Sequence, residues 1–380
     1  MKKILIINTT YRIFGGEDSN IIEEINFLSR YFNVKYLKFE NYGNLSLIDL
    51  FSFLLNSNFK SNKMLKEALD SFDPELVIIH NTWFRANLGI FKILNKRNIP
   101  VALKLHNFRY DCTRSYFIFR HIKPGETCFK CGLSRNKKTL FNRYYPSNLI
   151  KSLLLVRYGK KYFKLIKNLN FKIIVLTDFH KDYLIKIGIN QERIFVIQNP
   201  LNELDNKNFY NPNSKYILYA GRVDKSKGVE EILKAWVESK NELNLKIIGD
   251  GDNLNSLKKR YEASNIEFYG SIDHIKTLEL IKNAKCVVTS TKMFEGQPRL
   301  LCEASLYGVP TIFPKFGGMM EFFPRGYELA FEQYNYTNLK VKLEMISDSE
   351  LLKKLSKKVY KFIRIKLNED ELISKFNKLL

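Results

Sequence analysis

Short runs of apolar residues recur along the chain and alternate with longer segments whose apolar residues are spaced as in helices. The runs are continuous rather than alternating, which is typical of parallel strands covered on both faces. The first half predicts strands at Ile4–Ile7, Val34–Leu37, Leu76–Ile79, Val101–Leu105, Ile173–Leu176 and Ile194–Ile197. The second half predicts strands at Tyr216–Tyr219, Leu245–Ile248, Ile266–Tyr269, Cys286–Thr289 and Thr311–Phe313. This pattern predicts an α/β chain made of successive βα units.

A polar stretch rich in Asn and Pro, residues 198–215, divides the 380-residue chain near its middle. We expect a first domain at residues 1–198 with a Cys-containing basic insert at 107–147, a linker at 199–215 and a second domain at 216–355. A helical segment at 356–380 is expected to pack back toward the first domain. In two doubly wound domains, ligands bind beyond the carboxyl ends of the strands.

The chain carries a formal charge of +23, and most of this charge is concentrated in one region. Between Lys104 and Lys172 there are 17 Lys or Arg residues against two acids, with aromatic residues interleaved. Such a region attracts phosphates, which points to nucleic acid, anionic lipid or a pyrophosphate-bearing substrate. Within it, residues 148–169 resemble a basic amphipathic helix that lies on an anionic membrane. The alternatives are a solvated lysine-rich surface and an ordinary domain-packing helix.

The first apolar run ends at Asn8, too early for a signal peptide, and no uncharged stretch reaches the length of a membrane span. Five cysteines without an export signal indicate reduced thiols in the cytoplasm. Cys128 and Cys131 form a Cys-x2-Cys knuckle, and with Cys112 they suit zinc, although a structural site has four ligands. His121 is a candidate fourth ligand, and thiols packed under a loop are the alternative.

Candidate chemistry is concentrated in the second half. A glycine-bearing loop with Arg222 and Lys227 follows the strand at Tyr216–Tyr219 and precedes a helix, which suits a diphosphate. Residues 294–298 lead into a helix that carries Glu303. Glu295 and Glu303 are eight residues apart, about two helical turns, and are expected to project on one side as acceptors for sugar and ribose hydroxyls. A further glycine turn, Gly317-Gly318, follows the last predicted strand. Each pattern alone is weak.

Taken in order, these patterns resemble glycosyltransferase family 4. The carrying residues are Gly221-Arg222 with Lys227-Gly228, Ile248-Gly249-Asp250-Gly251, Tyr269-Gly270, Glu295 with Glu303, Gly308-Val309-Pro310 and Gly317-Gly318. In the first half, Gly15-Gly16-Glu17-Asp18, His80-Asn81-Thr82 and Leu105-His106-Asn107-Phe108-Arg109 are similar to a bacterial subgroup of the same family. The resemblance spans nearly the whole chain.

The resemblance implies a GT-B fold, in which two Rossmann-like βαβ domains face a central cleft. It also implies a retaining transfer from a nucleotide-diphosphate sugar without an obligatory metal. Positive groups must then stabilise the departing diphosphate. By position, Arg222 and Lys227 match the diphosphate clamp, Glu295 the acid that grips the donor sugar and Glu303 the one that holds the ribose.

Three further roles follow from the resemblance. The Gly15-Gly16 loop would offer backbone donors, and Gly317-Gly318 would approach a phosphate closely. His106 matches a histidine that contacts the donor sugar near the reacting carbon; a structural histidine is the alternative. The implied acceptor is a glycan or a polyprenyl-linked lipid in cell-surface polysaccharide synthesis, with the enzyme at the inner face of the membrane.

Other function classes fit less of the sequence. A nucleic-acid-binding protein would explain the basic region but not the glycine loops and paired acids. A sugar-nucleotide epimerase needs further acid–base groups, and a phosphorylase needs a pyridoxal-phosphate lysine environment; neither is found. A dinucleotide oxidoreductase is excluded because no Gly-x-Gly-x-x-Gly motif follows the first strand.

Overall fold

A computed structural model describes residues 1–10, 16–41, 47–112, 123–132, 148–201, 210–263 and 265–380, with backbone only at 47–50 and 112. The chain divides into two compact units. The first comprises Met1–Pro124, Arg135–Asn202 and Leu367–Leu380. The second comprises Gly125–Ser134 and Glu203–Lys366, so part of the insert that we expected in the first domain belongs to the second unit.

The first unit is built on a six-stranded parallel sheet. Its strands are β1 (Lys3–Thr10), β2 (Asn33–Glu40), β3 (Leu76–Ile79), β4 (Val101–Lys104), β5 (Lys172–Val175) and β6 (Ile194–Val196). Their order is β2-β1-β3-β4-β5-β6. Strands β3 and β4 are buried along their whole length, as their continuous apolar sequences predict. The order reverses at β1, which creates a switch point between β1 and β3.

Helices connect the strands of the first unit. They are α1 (Gly16–Leu28), α2 (Leu47–Leu55), α3 (Phe59–Phe72), α4 (Gly89–Arg97), α5 (Arg109–Cys112), α6 (Leu149–Asn168) and α7 (Asp178–Lys186). The helix α6 begins where the Asn148 side chain accepts a hydrogen bond from the Lys151 amide. Its inner face packs into the unit, where the Tyr158 hydroxyl donates to the Thr82 carbonyl at 2.9 Å. One face of the segment predicted as an amphipathic helix thus packs into the unit, and its first turns leave apolar side chains exposed.

The second unit repeats this architecture. Its strands are β7 (Tyr216–Ala220), β8 (Asn244–Ile248), β9 (Ile266–Gly270), β10 (Cys286–Val288), β11 (Thr311–Pro314) and β12 (Ala330–Phe331). Their order is β12-β11-β10-β7-β8-β9, and all pairs are parallel. Its helices are α8 (Val229–Ser239), α9 (Leu254–Tyr261), α10 (His274–Lys282), α11 (Arg299–Leu306), α12 (Tyr336–Met345) and α13 (Ser349–Lys366). The switch point of this sheet lies between β7 and β10.

A last helix, α14 (Glu369–Asn377), belongs to the first unit, whereas α13 belongs to the second. Leu372, Phe376 and Leu379 are buried in the same core as Ile4 and Ile6 of β1. The predicted α/β architecture with two parallel sheets is confirmed, and every predicted strand is present within one to three residues of its predicted bounds. Among the strands in the described residues, β12 was missed, because two residues are too few to show a periodic pattern of apolar positions.

Candidate active site

The loop after β7 forms a site in the second unit that suits an anion. Asp224 caps a short 3-10 helix by accepting from the amides of Ser226 and Lys227 at 2.9 and 3.0 Å. Gly228 follows at φ +69° and leads into α8; a Cβ there would lie 2.2 Å from the Ser290 carbonyl oxygen. Glycine is therefore required where this turn meets the loop after β10. The result is a glycine turn in front of the N-terminus of an 11-residue helix.

Lys227 and Glu295 come together at the switch point of this sheet. The Lys227 Nζ lies 2.6 Å from Glu295 Oε1, and the Thr291 hydroxyl donates to the same oxygen at 3.0 Å. They meet because β7 and β10 are neighbours, so the loops after their carboxyl ends are adjacent. The lysine and glutamate side chains remain 21% and 24% exposed. A ligand can therefore reach both charges.

Arg222 is the exposed cation of the same loop. Its guanidinium lies 3.1 Å from Asp224 and has 63% of its side-chain surface exposed. The Tyr219 hydroxyl donates to the Arg222 carbonyl at 2.7 Å and fixes the backbone of the loop. The loop thus offers two cations that differ in exposure, Lys227 paired with Glu295 and the more exposed Arg222 paired with Asp224.

Glu303 lies on α11 and is buried, with two cationic or polar partners. The Arg299 Nε is 2.7 Å from Glu303 Oε1, and His274 Nε2 is 2.9 Å from the same oxygen. As the sequence predicts, Glu295 lies in the loop that leads into the helix carrying Glu303, and α11 begins at Arg299. The two acids are held by different partners.

Aromatic rings pack beside the Glu295 loop. Phe294 and Phe316 are 4.7 Å apart, and Phe129 from residues 125–132 completes the cluster at 5.0 Å from Phe294. The Phe294 amide donates to the Phe129 carbonyl. The glycine turn that follows Phe316 has Gly317 at φ +59° and Gly318 as the residue before the 3-10 helix Met319–Phe322. Three loops after β7, β10 and β11 thus share one edge of the second sheet.

A pocket lies at the carboxyl edge of the first sheet. It encloses about 310 Å³, its open mouth included, and its lining includes His80, Asn81, Leu105, His106 and Asn107. These residues follow β3 and β4, which are neighbours in the sheet. The predicted site residue His106 therefore faces a pocket and is not packed inside the core. Gly16 begins α1 with no atom within 4 Å of an added Cβ, and Gly15 lies outside the described residues.

A buried cluster of Glu24, His80 and Lys104 lies next to His106. The His80 Nδ1 lies 2.8 Å from His106 Nε2, and the two rings are stacked at 16°. The other ring nitrogen of His80 lies 3.4 Å from Glu24 Oε1, and the second Glu24 oxygen pairs with Lys104. Burial, with a further contribution from the charge of Lys104, lowers the pKa of His106 well below its usual value. Burial opposes ionisation of Glu24, but Lys104 and His80 outweigh it and lower the pKa of this carboxyl.

The sequence analysis did not identify Glu24 and Lys104 as part of the site, although each interrupts an apolar pattern. Glu24 occupies the apolar face of α1, three residues after Ile21 and four before Leu28, where a hydrophobic residue is expected. Lys104 ends the buried strand Val101–Lys104. A single charge in each of two apolar patterns indicates a buried charged residue at each position, although it does not indicate that the two residues pair. Because Lys104 is fully buried, it does not contribute to the exposed basic region in which we had counted it.

The cysteine predictions need correction. Cys131 is disulfide-bonded, so its sulfur is not a thiolate for zinc and the prediction of reduced thiols throughout is wrong. Cys128 is a buried thiol, and the side chain of Cys112 and the whole of His121 lie outside the described residues. Among the residues that the structure describes, no group of three His, Cys, Asp or Glu side chains could hold a metal ion. Burial raises the pKa of the Cys302 thiol, as expected of a core residue.

Comparison with known proteins finds a family match for the part of the chain that contains most of the second unit. Residues 202–362 match the family described as glycosyl transferases group 1. An uncharacterised glycosyltransferase of Methanocaldococcus jannaschii is 24% identical over 267 residues, which cover 60% of this chain and 68% of that protein. The O-antigen biosynthesis glycosyltransferase WbnH of Escherichia coli is 26% identical over 179 residues. That match covers 47% of this chain and only half of WbnH.

Solved structures extend the similarity to the whole chain. Alr3699/HepE of Anabaena, solved in complex with UDP and glucose, superposes with a TM-score of 0.69 at 13% identity. The match covers 100% of this chain and 99% of HepE. This likeness establishes the GT-B fold that the sequence predicted.

Proposed function

We propose, for a chain that carries a group 1 glycosyltransferase domain, that it moves a sugar from a nucleotide-diphosphate donor to an acceptor with retention of anomeric configuration. The observation that carries this proposal is the 2.6 Å contact between Lys227 and Glu295. These residues come from two separate sequence patterns, one suited to a phosphate and the other to sugar hydroxyls. Their meeting at a switch point is what a nucleotide-sugar site requires.

In this proposal Lys227 and Arg222 stabilise the departing diphosphate. Cleavage of the sugar–phosphate bond leaves negative charge on the leaving group, and cations already in place lower the barrier. Amides at the start of α8 and the turn at Gly317-Gly318 add backbone dipoles. When the diphosphate takes over Lys227, Glu295 is released to accept hydrogen bonds from the donor sugar.

Glu303 holds the ribose in the same proposal. Its carboxylate is fixed by Arg299 and His274, so an incoming diol meets an acceptor of fixed orientation. The pocket of the first unit supplies His106 to the sugar near its reacting carbon, and the Gly15-Gly16 loop adds backbone donors. The sugar passes through an oxocarbenium-like state, as in other glycosyl transfer. No metal takes part in this scheme.

A thermal-shift screen tests the donor site. The purified protein is titrated with UDP, GDP, ADP and their sugar conjugates, and a binding nucleotide raises the melting temperature. We expect a shift with one nucleotide diphosphate that Arg222→Ala diminishes and that Lys225→Ala, an exposed neighbour in the same turn, leaves unchanged. A shift with random DNA but with no nucleotide would contradict the proposal. The donor is then used to follow the anomeric proton of the product by NMR, and inversion would refute retention.

The acceptor is proposed to be a glycan or polyprenyl-linked lipid in the synthesis of capsule, O-antigen or exopolysaccharide. This part is supported by the similarity to WbnH, which is described as an O-antigen biosynthesis glycosyltransferase. Such an acceptor places the enzyme in the cytoplasm, at the inner face of the membrane.

The first unit offers a surface for that membrane. Apolar side chains are exposed on α2, at the start of α3 and on the first turns of α6, and α2 contacts α6 through Phe53 and Tyr158. The exposed residues are Phe51, Leu54, Leu55, Phe59, Leu149, Ile150 and Leu153. Exposed Lys60 and Lys151 flank them. Apolar side chains beside lysines suit insertion among anionic headgroups. None of the helices in the described ranges is both long and apolar enough to cross a bilayer.

Vesicle sedimentation tests this surface. We expect the protein to bind vesicles that contain an anionic lipid and to bind neutral vesicles less well. Ile150→Ser with Leu153→Ser should reduce the bound fraction several-fold. Ile275→Ser is the matched control, because Ile275 is an exposed apolar residue of the second unit. Equal loss in both proteins would refute the surface.

A further inference from the structure

We infer that Glu24 and His80 are positioning residues that fix the tautomer of His106, so that its Nδ1 is presented as a hydrogen-bond acceptor to a hydroxyl-bearing ligand in the pocket of the first unit. The assignment of the tautomer stands on contacts within this unit. Its consequence for sugar transfer rests on the proposed function.

The contacts that run from Glu24 through His80 to His106 form a relay, and this relay begins at an ionised carboxylate. Glu24 is fully buried, and one of its oxygens pairs with the ammonium of Lys104, which is also fully buried. A carboxylate in this position is an acceptor only, so its second oxygen requires a donor. The lowered pKa of Glu24 agrees with an ionised group.

His80 supplies that donor. Its Nε2 faces Glu24 Oε1 at 3.4 Å, a long contact, yet each atom is buried and has no other polar partner among the described residues. A buried N–H and a buried carboxylate oxygen at this separation satisfy one another better than either is satisfied alone. The proton of a neutral His80 therefore resides on Nε2, and its Nδ1 carries a lone pair.

The same reasoning passes to His106. Its Nε2 lies 2.8 Å from His80 Nδ1, a normal hydrogen-bond distance. If His80 Nδ1 accepts, then His106 Nε2 must donate, and the remaining nitrogen of a neutral His106 is Nδ1 without a proton. No residue in the described part of the chain bonds to that Nδ1, and His106 lines the pocket. Such a nitrogen receives a hydrogen bond from a hydroxyl and orients it.

The reverse direction is disfavoured by charge. If His80 were an imidazolium, its Nδ1 would donate to His106, and His106 would present an N–H to the pocket. Glu24 is already neutralised by Lys104, so a second buried cation would leave the cluster with a net positive charge. Uncompensated buried charge is costly, whereas the neutral pair of histidines leaves the cluster balanced. Glu17, another acid that lines the pocket, contacts Asn107 at 3.4 Å.

Histidine NMR on the full chain tests the tautomer directly. The protein is labelled with ¹⁵N-histidine, the His106 signals are assigned by loss in His106→Gln, and couplings to the ring protons show which nitrogen is protonated. We expect a proton on Nε2 and none on Nδ1. A proton on Nδ1 in the unmodified protein would overturn the inference.

A double variant that leaves no unpaired charge in the core tests the relay. Glu24→Leu with Lys104→Met removes the acceptor without leaving a buried charge, and we expect His106 to become a mixture of tautomers. His180 is the internal reference, because it is buried against Tyr110 and lies outside the cluster. If the double variant does not fold, His80→Phe removes the next link and predicts the same mixture. An unchanged His106 tautomer in a folded variant would refute the relay.

Activity separates positioning from a general structural role. With the donor found in the nucleotide screen, the double variant should keep its thermal shift with the nucleotide within about twofold in apparent affinity, while kcat for sugar transfer falls by about tenfold or more. Parallel losses of nucleotide affinity and of kcat would indicate a structural role instead. If no nucleotide binds to either protein, the proposed function fails, but the NMR result still decides the tautomer.

Discussion

Each unit contains a lysine–glutamate pair that includes a residue at or just after the carboxyl end of a strand, but the pairs differ in burial. In the first unit Lys104 and Glu24 are fully buried, and among the described residues His80 is the other ionic partner of Glu24. In the second unit Lys227 and Glu295 keep about a fifth to a quarter of their side-chain surface exposed. Both sheets are six-stranded and parallel, but their strand orders differ, β2-β1-β3-β4-β5-β6 in the first and β12-β11-β10-β7-β8-β9 in the second.

Burial decides what each pair can do. A fully buried pair cannot be separated without exposing a charge to a low-dielectric core, so it holds a structure in place. A partly exposed pair costs little free energy to separate, so a ligand can bind one residue of the pair in place of the other. The first unit thus keeps its charges fixed beneath a pocket, and the second offers them to a ligand.

The largest expected effect separates the pairs by stability. Lys104→Met should lower the free energy of unfolding by about 3–5 kcal/mol, because it leaves Glu24 buried without its cation. Lys227→Met should change it by less than about 1 kcal/mol. Denaturant unfolding of both variants measures the contrast, and equal losses would refute it.

Lys227, whose substitution has the smaller effect on stability, should have a large effect on activity. Lys227→Ala should lower kcat/KM for the donor by about 2–3 kcal/mol of transition-state stabilisation, since it removes a charge-assisted contact to the leaving group. Lys225→Ala, in the same turn, is the control. Steady-state kinetics with the identified donor measures both, and matching values for the two variants would remove Lys227 from the clamp.

Acid should destabilise the first unit through its buried histidines. Burial lowers the pKa of His180 to about 3, so the unfolded chain binds a proton below about pH 6.5 that the folded unit does not. Stability is then full above about pH 6.5 and falls as the pH decreases, by about 2 kcal/mol between pH 7 and pH 5. His180→Phe should remove this part of the pH dependence, and denaturant unfolding at both values measures it. Tyr110→Phe, which removes the hydrogen bond but keeps the histidine, should retain it.

The smallest effect concerns the ribose. Glu303→Gln should raise the KM for the donor by about 1 kcal/mol, roughly fivefold, with little change in kcat, because a neutral amide accepts more weakly than a carboxylate. Glu238→Gln, on the exposed side of α8, is the control. An effect confined to the acceptor's KM would contradict the assigned role.

The sequence predicted the parts of this molecule that depend on local pattern. Continuous apolar runs such as Leu76–Ile79 predicted the strands, and the order of glycine turns predicted which loops carry the second-unit candidates. It placed Glu295 in the loop before α11, but it could not show that this carboxylate meets Lys227, 68 positions earlier in the chain. The contact between Glu24 and Lys104 joins residues 80 positions apart, and local periodicity carries no such information.

The division of the first unit into three pieces has a consequence for how the protein matures on the ribosome. Phe376 and Leu379 complete the core around β1, yet they are synthesised only after Glu203–Lys366, which forms most of the second unit. The first sheet must wait, with part of its apolar face unfilled, while the later unit can already assemble its own core. The first unit, whose synthesis begins first, therefore completes its core only after most of the second unit has been synthesised.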